Sequence, residues 1–221
     1  MIRRVLAPSP AGPLASLWLP AQQLWFCLTL TYIHGWEAKE LAGRLVVDLV
    51  EYERPLYPEY QVVPDLFTDT FRGHPVRLVV DPAAGVIVDR RDLAYDCSPD
   101  FPAHALEVTG HPYRDFWMLG ISAAGRPGRK FFDQLVRVDW DTECVDVYQA
   151  PPRHYLGGEP PVMLEPDRAG SGTIVCQSFD AEQTSASFVA FDAFDVAAGP
   201  VARVPLPAPL PLLFHSTFRP H

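Results

Sequence analysis

Short apolar runs separated by turn residues make up much of this chain. Residues 76–80 and 86–90 are rich in valine and flank Asp-Pro-Ala-Ala-Gly at 81–85, where proline and glycine favour turn dihedrals. Residues 135–140 and 144–148 repeat this arrangement around a short polar turn. Each pair of runs predicts a β-hairpin.

The same pattern continues through most of the chain. Further runs of this kind lie at 43–52, 173–179, 187–191 and 201–206. The 24 prolines are about twice the usual share, and they leave little room for long helices. Recurring hairpins with proline-rich connections predict an all-β propeller or sandwich. Three connections are long for hairpins, and long loops on a β scaffold often carry function: 55–64, 99–112 and 120–130.

Four aromatic residues are candidates either for a ligand-stacking surface or for the core: Phe116, Trp117, Phe131 and Phe132. Aromatic residues at strand and loop spacing are more often core residues. We therefore predict that they pack inside the protein.

Charge and motif content exclude several classes of function. The 18 Lys and Arg residues against 27 Asp and Glu residues give a net charge of −9, and the basic residues cluster only at Arg126, Arg129 and Lys130. Nucleic-acid binding needs a larger basic surface, so no nucleic-acid partner is expected. No phosphate loop, dinucleotide fingerprint or nucleophile elbow occurs. The length of 221 residues predicts a single domain, 1–221.

The cysteines give no pattern of a metal or disulfide framework. Cys27, Cys97, Cys144 and Cys176 are scattered without a C-x-x-C pair, which argues against a zinc site and against a small secreted fold. Free cysteines are most often interior, so we predict four buried thiols.

The first 33 residues raise the question of a targeting segment. Basic residues near the start precede an apolar stretch at 24–33, but four prolines within the first 20 residues interrupt any signal-peptide core. The apolar stretch is too short to cross a bilayer. We predict no signal peptide, no transmembrane segment and a cytoplasmic protein.

His215 stands at the end of the apolar run 211–214. An imidazole in such a position can hold a metal inside a cavity, although a lone histidine more often has a structural role. One histidine does not complete a catalytic metal site, so partners for His215 must be sought elsewhere.

Seven segments occur in the order found in one protein family. They are Ile33-His34-Gly35-Trp36-Glu37, Val-Val-Asp-Leu-Val at 46–50, Asp100-Phe101-Pro102, Gly-His-Pro-Tyr-Arg at 110–114, Phe-Asp-Gln-Leu-Val-Arg-Val-Asp at 132–139, Gly-Gly-Glu-Pro at 157–160 and the tail around His215. Together they resemble the C-terminal part of the carotenoid cleavage oxygenase (retinal pigment epithelial membrane protein-like) family, over most of the chain.

The resemblance implies a fold and a chemistry. Members of that family are seven-bladed β-propellers that hold a non-haem Fe(II) on four histidines and use O2 to cleave carbon–carbon double bonds. The implied fold here is all-β, a partial propeller of the last three or four blades with long loops. Family members are roughly twice as long, so the first two iron histidines are expected in an N-terminal half outside this sequence.

The remaining ligand positions carry over unevenly. The segment that bears the third iron histidine in the family has Thr31 at that position, and a threonine hydroxyl is a poor replacement for imidazole at Fe(II). His34 is an alternative ligand, but a shift of three residues points to the other face of a strand. The other histidines, His74, His104, His111, His154 and His221, match no coordinating position and are expected on the surface or in loops.

The resemblance assigns the fourth iron ligand to His215, although both glycines that flank it in the family are absent here. It also implies two carboxylates that accept the second ring N–H of iron histidines and so fix their tautomer. These are Glu159, in Gly-Glu-Pro, and Asp100, before Phe-Pro, which is one methylene shorter than the family's glutamate. The alternative for Glu159 is a solvated turn residue.

Two functions therefore remain open. The first is part of an Fe(II)-dependent dioxygenase acting on carotenoids, apocarotenoids or stilbene-like molecules, with this chain incomplete and inactive alone. The second is a degenerate, non-catalytic β-domain that acts as a binding or assembly module. An opened propeller exposes strand edges, so we expect either an N-terminal half as partner or self-association.

Overall fold

The computed structural model describes residues 29–32, 43–52, 67–108, 113–213 and 216. This part of the chain is all-β, with only two short 3-10 helices, Leu106–Val108 and Val196–Ala198. The strands are β1 (Thr29–Tyr32), β2 (Leu45–Tyr52), β3 (Gly73–Asp81), β4 (Val86–Asp92), β5 (Ser98–Ala103), β6 (Asp115–Ile121), β7 (Gln134–Asp139), β8 (Cys144–Gln149), β9 (His154–Gly157), β10 (Val162–Leu164), β11 (Gly172–Asp180), β12 (Ser185–Asp192) and β13 (Pro200–Pro205).

These strands form three antiparallel sheets in chain order. Sheet A is β1-β2-β3-β4, sheet B is β5-β6-β7-β8, and sheet C is β10-β11-β12-β13 with β9 also paired to β11. In sheet C, β9 pairs with residues 177–180 of β11 and β10 pairs with residues 172–174. The two segments therefore lie on the same side of β11, and residues 158–161 interrupt them.

Sheet B has apolar residues on both faces because successive side chains of a strand alternate between faces. Trp117 and Leu119 belong to one core cluster, together with Ile174 and Phe191 of sheet C. Met118 and the other even-numbered apolar residues of β6 and β7 belong to a second cluster. Sheet B thus has a core on each side.

A buried ion pair within sheet A lies where Trp140 of sheet B contacts that sheet. Arg77 donates from Nε to Asp48 Oδ1 at 2.7 Å and from Nη2 to Asp48 Oδ2 at 2.8 Å. Trp140 of the β7–β8 turn donates to the same carboxylate at 3.2 Å, and the Arg77 guanidinium lies 4.8 Å from its ring centroid. A bidentate pair with a third donor satisfies the charge of a carboxylate that is 1% exposed.

The third strand of every sheet ends in an aspartate. Asp81, Asp139 and Asp192 end β3, β7 and β12, and in each turn Oδ1 accepts a hydrogen bond from the backbone N–H two residues later, at 3.0, 2.9 and 2.8 Å. This is the usual way in which aspartate stabilises a turn. The sequence therefore contains an apolar-x-apolar-Asp repeat at the ends of these three strands.

The predicted hairpins are confirmed as β3–β4 and β7–β8, and the runs at 43–52, 173–179, 187–191 and 201–206 are confirmed as β2, β11, β12 and β13. The loop predicted at 99–112 is wrong in its first part, where β5 lies. Pro99 and Pro102 suggested a loop, but among the described strands β5 pairs only with β6, and a strand with one neighbour tolerates proline.

The predictions of burial are correct for most residues. Phe116, Trp117 and Phe132 are at most 2% exposed, and Phe131 is partly buried against them. Of the cysteines, Cys176 is buried, Cys97 is half-buried and Cys144 is exposed. The prediction is wrong for Cys144 because it lies on β8, the outer strand of sheet B. Cys27 lies outside the described residues.

Candidate functional site

The predicted site positions share one structural feature, the first strand of a sheet. Thr31 lies in β1, and Asp100 lies in β5. Glu159 lies between β9 and β10, the two segments that form the first strand of sheet C. Equivalent edges of three successive sheets therefore carry the three positions, which the sequence pattern alone did not show.

Asp100 occupies an irregular point of its strand. A bulge separates Asp100 from Ala103, and Phe101 has a positive φ of 53° although its side chain is 4% exposed. The N–H of Phe101 donates to Asp100 Oδ1 at 2.8 Å. Left-handed conformations of bulky residues are strained and are frequent at functional sites. The packing of Phe101 against Phe132, with ring centroids 5.3 Å apart, holds this turn.

Residues near the C-terminus contact sheet C at Gly158 and Glu159. The N–H of Gly158 donates to the carbonyl oxygen of Leu213 at 2.7 Å, and the hydroxyl of Ser216 donates to the carbonyl oxygen of Glu159. Gly158 has a φ of 78°, a conformation that favours glycine. The structure therefore brings residues 213 and 216 to the Gly-Glu-Pro turn.

A cavity of about 300 Å³ lies beside this contact. Met163, Val175 and Phe188 supply its apolar wall on sheet C, and Leu213 and Ser216 line it from the C-terminal segment. Gln177 of β11 also lines the cavity. The sequence pattern did not indicate a role for Gln177, because a single glutamine in a largely apolar strand is typical of a side chain that faces solvent.

Several predicted residues lie outside the described part of the chain. These are His34, His111, His215 and His221. The assignment of His215 as a metal ligand therefore remains a prediction, and the structure describes only its neighbours at 213 and 216.

The other three histidines lie at surface or loop positions, as expected. His74 lies in β3 and His154 begins β9, both with partly exposed side chains, and His104 lies in a loop. The His104 ring stacks on Tyr113 with centroids 5.5 Å apart, and burial lowers its pKa.

Glu51, His74 and Asp92 form a group at one end of sheet A whose candidate ligand atoms lie within 4.8 Å of one another. Arg90 already donates to both carboxylates, at 2.7 Å to Glu51 and 2.5 Å to Asp92. Hydrogen bonding to Arg90 lowers the pKa of Asp92. A guanidinium thus provides the positive charge here, and the group is a surface ion-pair network.

Among the residues that the structure describes, no helix has the length and apolar character needed to cross a membrane.

Comparison with known proteins identifies the family. The sequence profile of the family described as Retinal pigment epithelial membrane protein matches residues 15–220. No curated protein sequence matches the chain.

Solved structures with the same fold include three oxygenases or their variants. Cobalt-substituted Synechocystis ACO has a TM-score of 0.69 and 20% identity, over 94% of this chain and 42% of that chain. An ACO/RPE65 chimera has a TM-score of 0.68 and 20% identity, over 90% and 40%. Pseudomonas brassicacearum lignostilbene dioxygenase has a TM-score of 0.66 and 20% identity, over 81% and 39%.

The chain spans about two fifths of the length of these structures, and at such identity the similarity shows the fold. The profile match covers nearly the whole chain and agrees with the seven motifs found in the sequence. The chain therefore belongs to the Retinal pigment epithelial membrane protein family, the carotenoid oxygenase family that its motifs predict.

Proposed function

We propose that this chain forms part of an Fe(II)-dependent dioxygenase that uses O2 to cleave double bonds of carotenoids, apocarotenoids or stilbene-like molecules. Membership of the family supports this proposal. So does the shared fold with structures named apocarotenoid oxygenase and lignostilbene dioxygenase.

The three sheets are, in this proposal, three successive blades of a partial seven-bladed propeller within one domain, 1–221. Each sheet has four antiparallel strands in chain order, as propeller blades do. The aspartate that ends each third strand supports a repeated unit.

The iron ligand supplied by this chain is His215, and the observation that carries this assignment is the contact of its neighbours with the Gly-Glu-Pro turn. Leu213 and Ser216 are hydrogen-bonded to Gly158 and Glu159. Glu159, and Asp100 on β5, orient iron histidines by accepting the ring N–H that faces away from the metal.

Bound iron supplies the activation of O2. The residues of this chain orient ligands and form an apolar surface. A carboxylate that accepts the second ring N–H keeps the imidazole in the tautomer that coordinates. The cavity wall of Met163, Val175 and Phe188 is suited to an apolar substrate, because polar groups there are few.

One histidine does not form an iron site, and Thr31 stands where a second ligand is expected. We infer that the chain is inactive alone and that an N-terminal half supplies the other ligands. Without that half, exposed edges favour self-association. The outer strands β4 and β13 are exposed along their whole length.

Cobalt(II) titration of the purified chain tests this proposal, with visible absorbance and bound metal as readouts. We expect weak binding that falls about tenfold or more in His215→Ala, since loss of one ligand removes more than 1.4 kcal/mol. His154→Ala is the matched control and should bind as the wild type does. Equal binding by His215→Ala would refute the ligand assignment, and cleavage of an apocarotenal by the chain alone would refute its inactivity.

The second candidate function is a non-catalytic β-domain for binding or assembly. Thr31 at a ligand position favours it, because a site that has lost a ligand no longer selects iron. Metal binding that is undetectable in the wild type as well as in His215→Ala would support this function.

A further inference from the structure

Gln177 is a buried polar residue at the centre of sheet C. It pairs with Gly157 of β9 on one side and with Phe188 of β12 on the other, and it is 2% exposed. A buried primary amide must satisfy two donors and one acceptor, and each unsatisfied group costs about 1–3 kcal/mol.

Its side chain bonds the C-terminal segment rather than its own sheet. Oε1 accepts the N–H of Leu213 at 2.8 Å, while Nε2 donates to the carbonyl oxygens of Pro211 at 3.0 Å and Leu210 at 3.3 Å. A single amide therefore serves three backbone groups within residues 210–213.

The composition of this segment explains why a side chain is needed. Pro207, Pro209 and Pro211 have no N–H, so a regular strand ladder cannot form along it. The N–H of Gly158 supplies one backbone bond, to Leu213. The amide of Gln177 takes the place of the missing ladder bonds.

Close approach of the segment also depends on Gly157. A Cβ on Gly157 would lie 3.2 Å from Leu212 Cβ and 2.8 Å from its flexible Cδ2, so Leu212 would have to shift away from the sheet. Gly157 and Gln177 are register partners. Gly157 leaves space for the segment, and the side chain of Gln177 beside it bonds the segment.

Leu213 is thus held through both of its backbone groups, by Gln177 at its N–H and by Gly158 at its carbonyl oxygen. We propose that Gln177 is a positioning residue that fixes residues 210–213 on sheet C, and that the iron ligand proposed at His215 depends on this attachment. This inference rests on the proposed function for the role of His215. The attachment of residues 210–213 is independent of it.

The alternative is that Gln177 only fills space in sheet C. Gln177→Glu separates the two roles, because it keeps the shape and the acceptor but faces two carbonyl oxygens with a carboxylate. Protonation restores a donor, so an effect on the segment should reverse at low pH. Gln183→Glu, at an exposed turn position of the β11–β12 hairpin, is the matched control.

Hydrogen exchange at the Leu213 amide is the measurement. At neutral pH we expect exchange in Gln177→Glu to be about tenfold or more faster than in the wild type, with the ratio falling towards one as the pH nears 4. Gln183→Glu should match the wild type at every pH. An unchanged Leu213 amide in Gln177→Glu would overturn the proposal.

A second variant and a second readout keep the result clear if Gln177→Glu folds poorly. Gln177→Leu keeps the sheet apolar and should accelerate Leu213 exchange at every pH, without recovery in acid. Cobalt(II) affinity at neutral pH should fall in both variants. In Gln177→Glu, the loss of affinity should accompany the faster exchange of the Leu213 amide. If the wild type binds no cobalt, the expected weak metal binding at His215 in this chain fails, while the exchange ratios still decide the role of Gln177.

Discussion

Sheets B and C have the same strand order but differ in what covers their faces. In sheet B, Trp117 and Leu119 on one face and Phe116 and Met118 on the other are all at most 2% exposed. In sheet C, Ile174, Val189 and Phe191 on one face are also at most 2% exposed. Its other face bears Val175 and Phe188, which are partly exposed and line the cavity.

The difference separates a sheet whose packing supports stability from a sheet whose open face can hold a functional segment. A sheet covered on both sides depends on close packing, and a change there costs stability. A sheet with one partly open face can hold an irregular segment with a few hydrogen bonds. In sheet C that face holds the segment that leads to His215.

The largest effect is expected where sheets A and B join. Arg77→Met leaves Asp48 buried without its partner, and loss of one member of a buried pair costs about 3–5 kcal/mol. Arg153→Met, at the exposed pair with Glu182 near sheet C, should cost less than about 1 kcal/mol. Urea unfolding measures both. Similar losses of unfolding free energy in the two variants would show that the buried pair of sheet A is no more important for stability than the exposed pair near sheet C.

A matched pair of leucines compares the covered and open faces directly. Leu135→Ala in sheet B, at a side chain that is 0% exposed, should destabilise the protein by about 2–5 kcal/mol. Leu213→Ala, at a residue that is 38% exposed beside sheet C, should cost about 0.5 kcal/mol. Equal losses in urea unfolding would show that the C-terminal segment is packed as tightly as sheet B.

The smallest effect concerns pH and a turn of sheet C. Hydrogen bonding from the backbone N–H of Gln183 is the main cause that lowers the pKa of Asp180. A lowered pKa in the folded state gives stability that is present above the unfolded value, about 3.9, and is lost as the pH falls through the folded value.

The difference in Tm between the wild type and Asp180→Ala should therefore be constant from pH 7 to about 5 and shrink below about 4. Asp180→Asn keeps a side-chain oxygen without the charge, and its Tm should lack this acid dependence. A wild-type advantage that grew in acid would contradict the assigned direction of the shift. The turn at Asp81, which ends β3 of sheet A and has similar backbone hydrogen bonds, should behave alike, because the N–H of Ala84 lowers the pKa of that carboxyl.

The sequence predicted strands well where alternation and turn residues were clear. It failed at the first strands of the sheets and at β6, whose residues 115–121 it did not predict as a strand. In β5, proline hid a strand because loop composition and edge-strand composition look alike. In β9 and β10, the strand is short and interrupted at 158–161. These first strands carry Asp100 and flank Glu159, so the poorest predictions of structure fell on the candidate site.

The sequence by itself determined the hairpins, the all-β class and the family, because turn chemistry, side-chain alternation and motif order are local properties of the chain. Only the tertiary structure decided which face of each sheet is covered, that Arg77 meets Asp48, and that Gln177 serves residues 210–213. Those facts depend on contacts between residues far apart in the chain, and such contacts are set by how the sheets pack against one another.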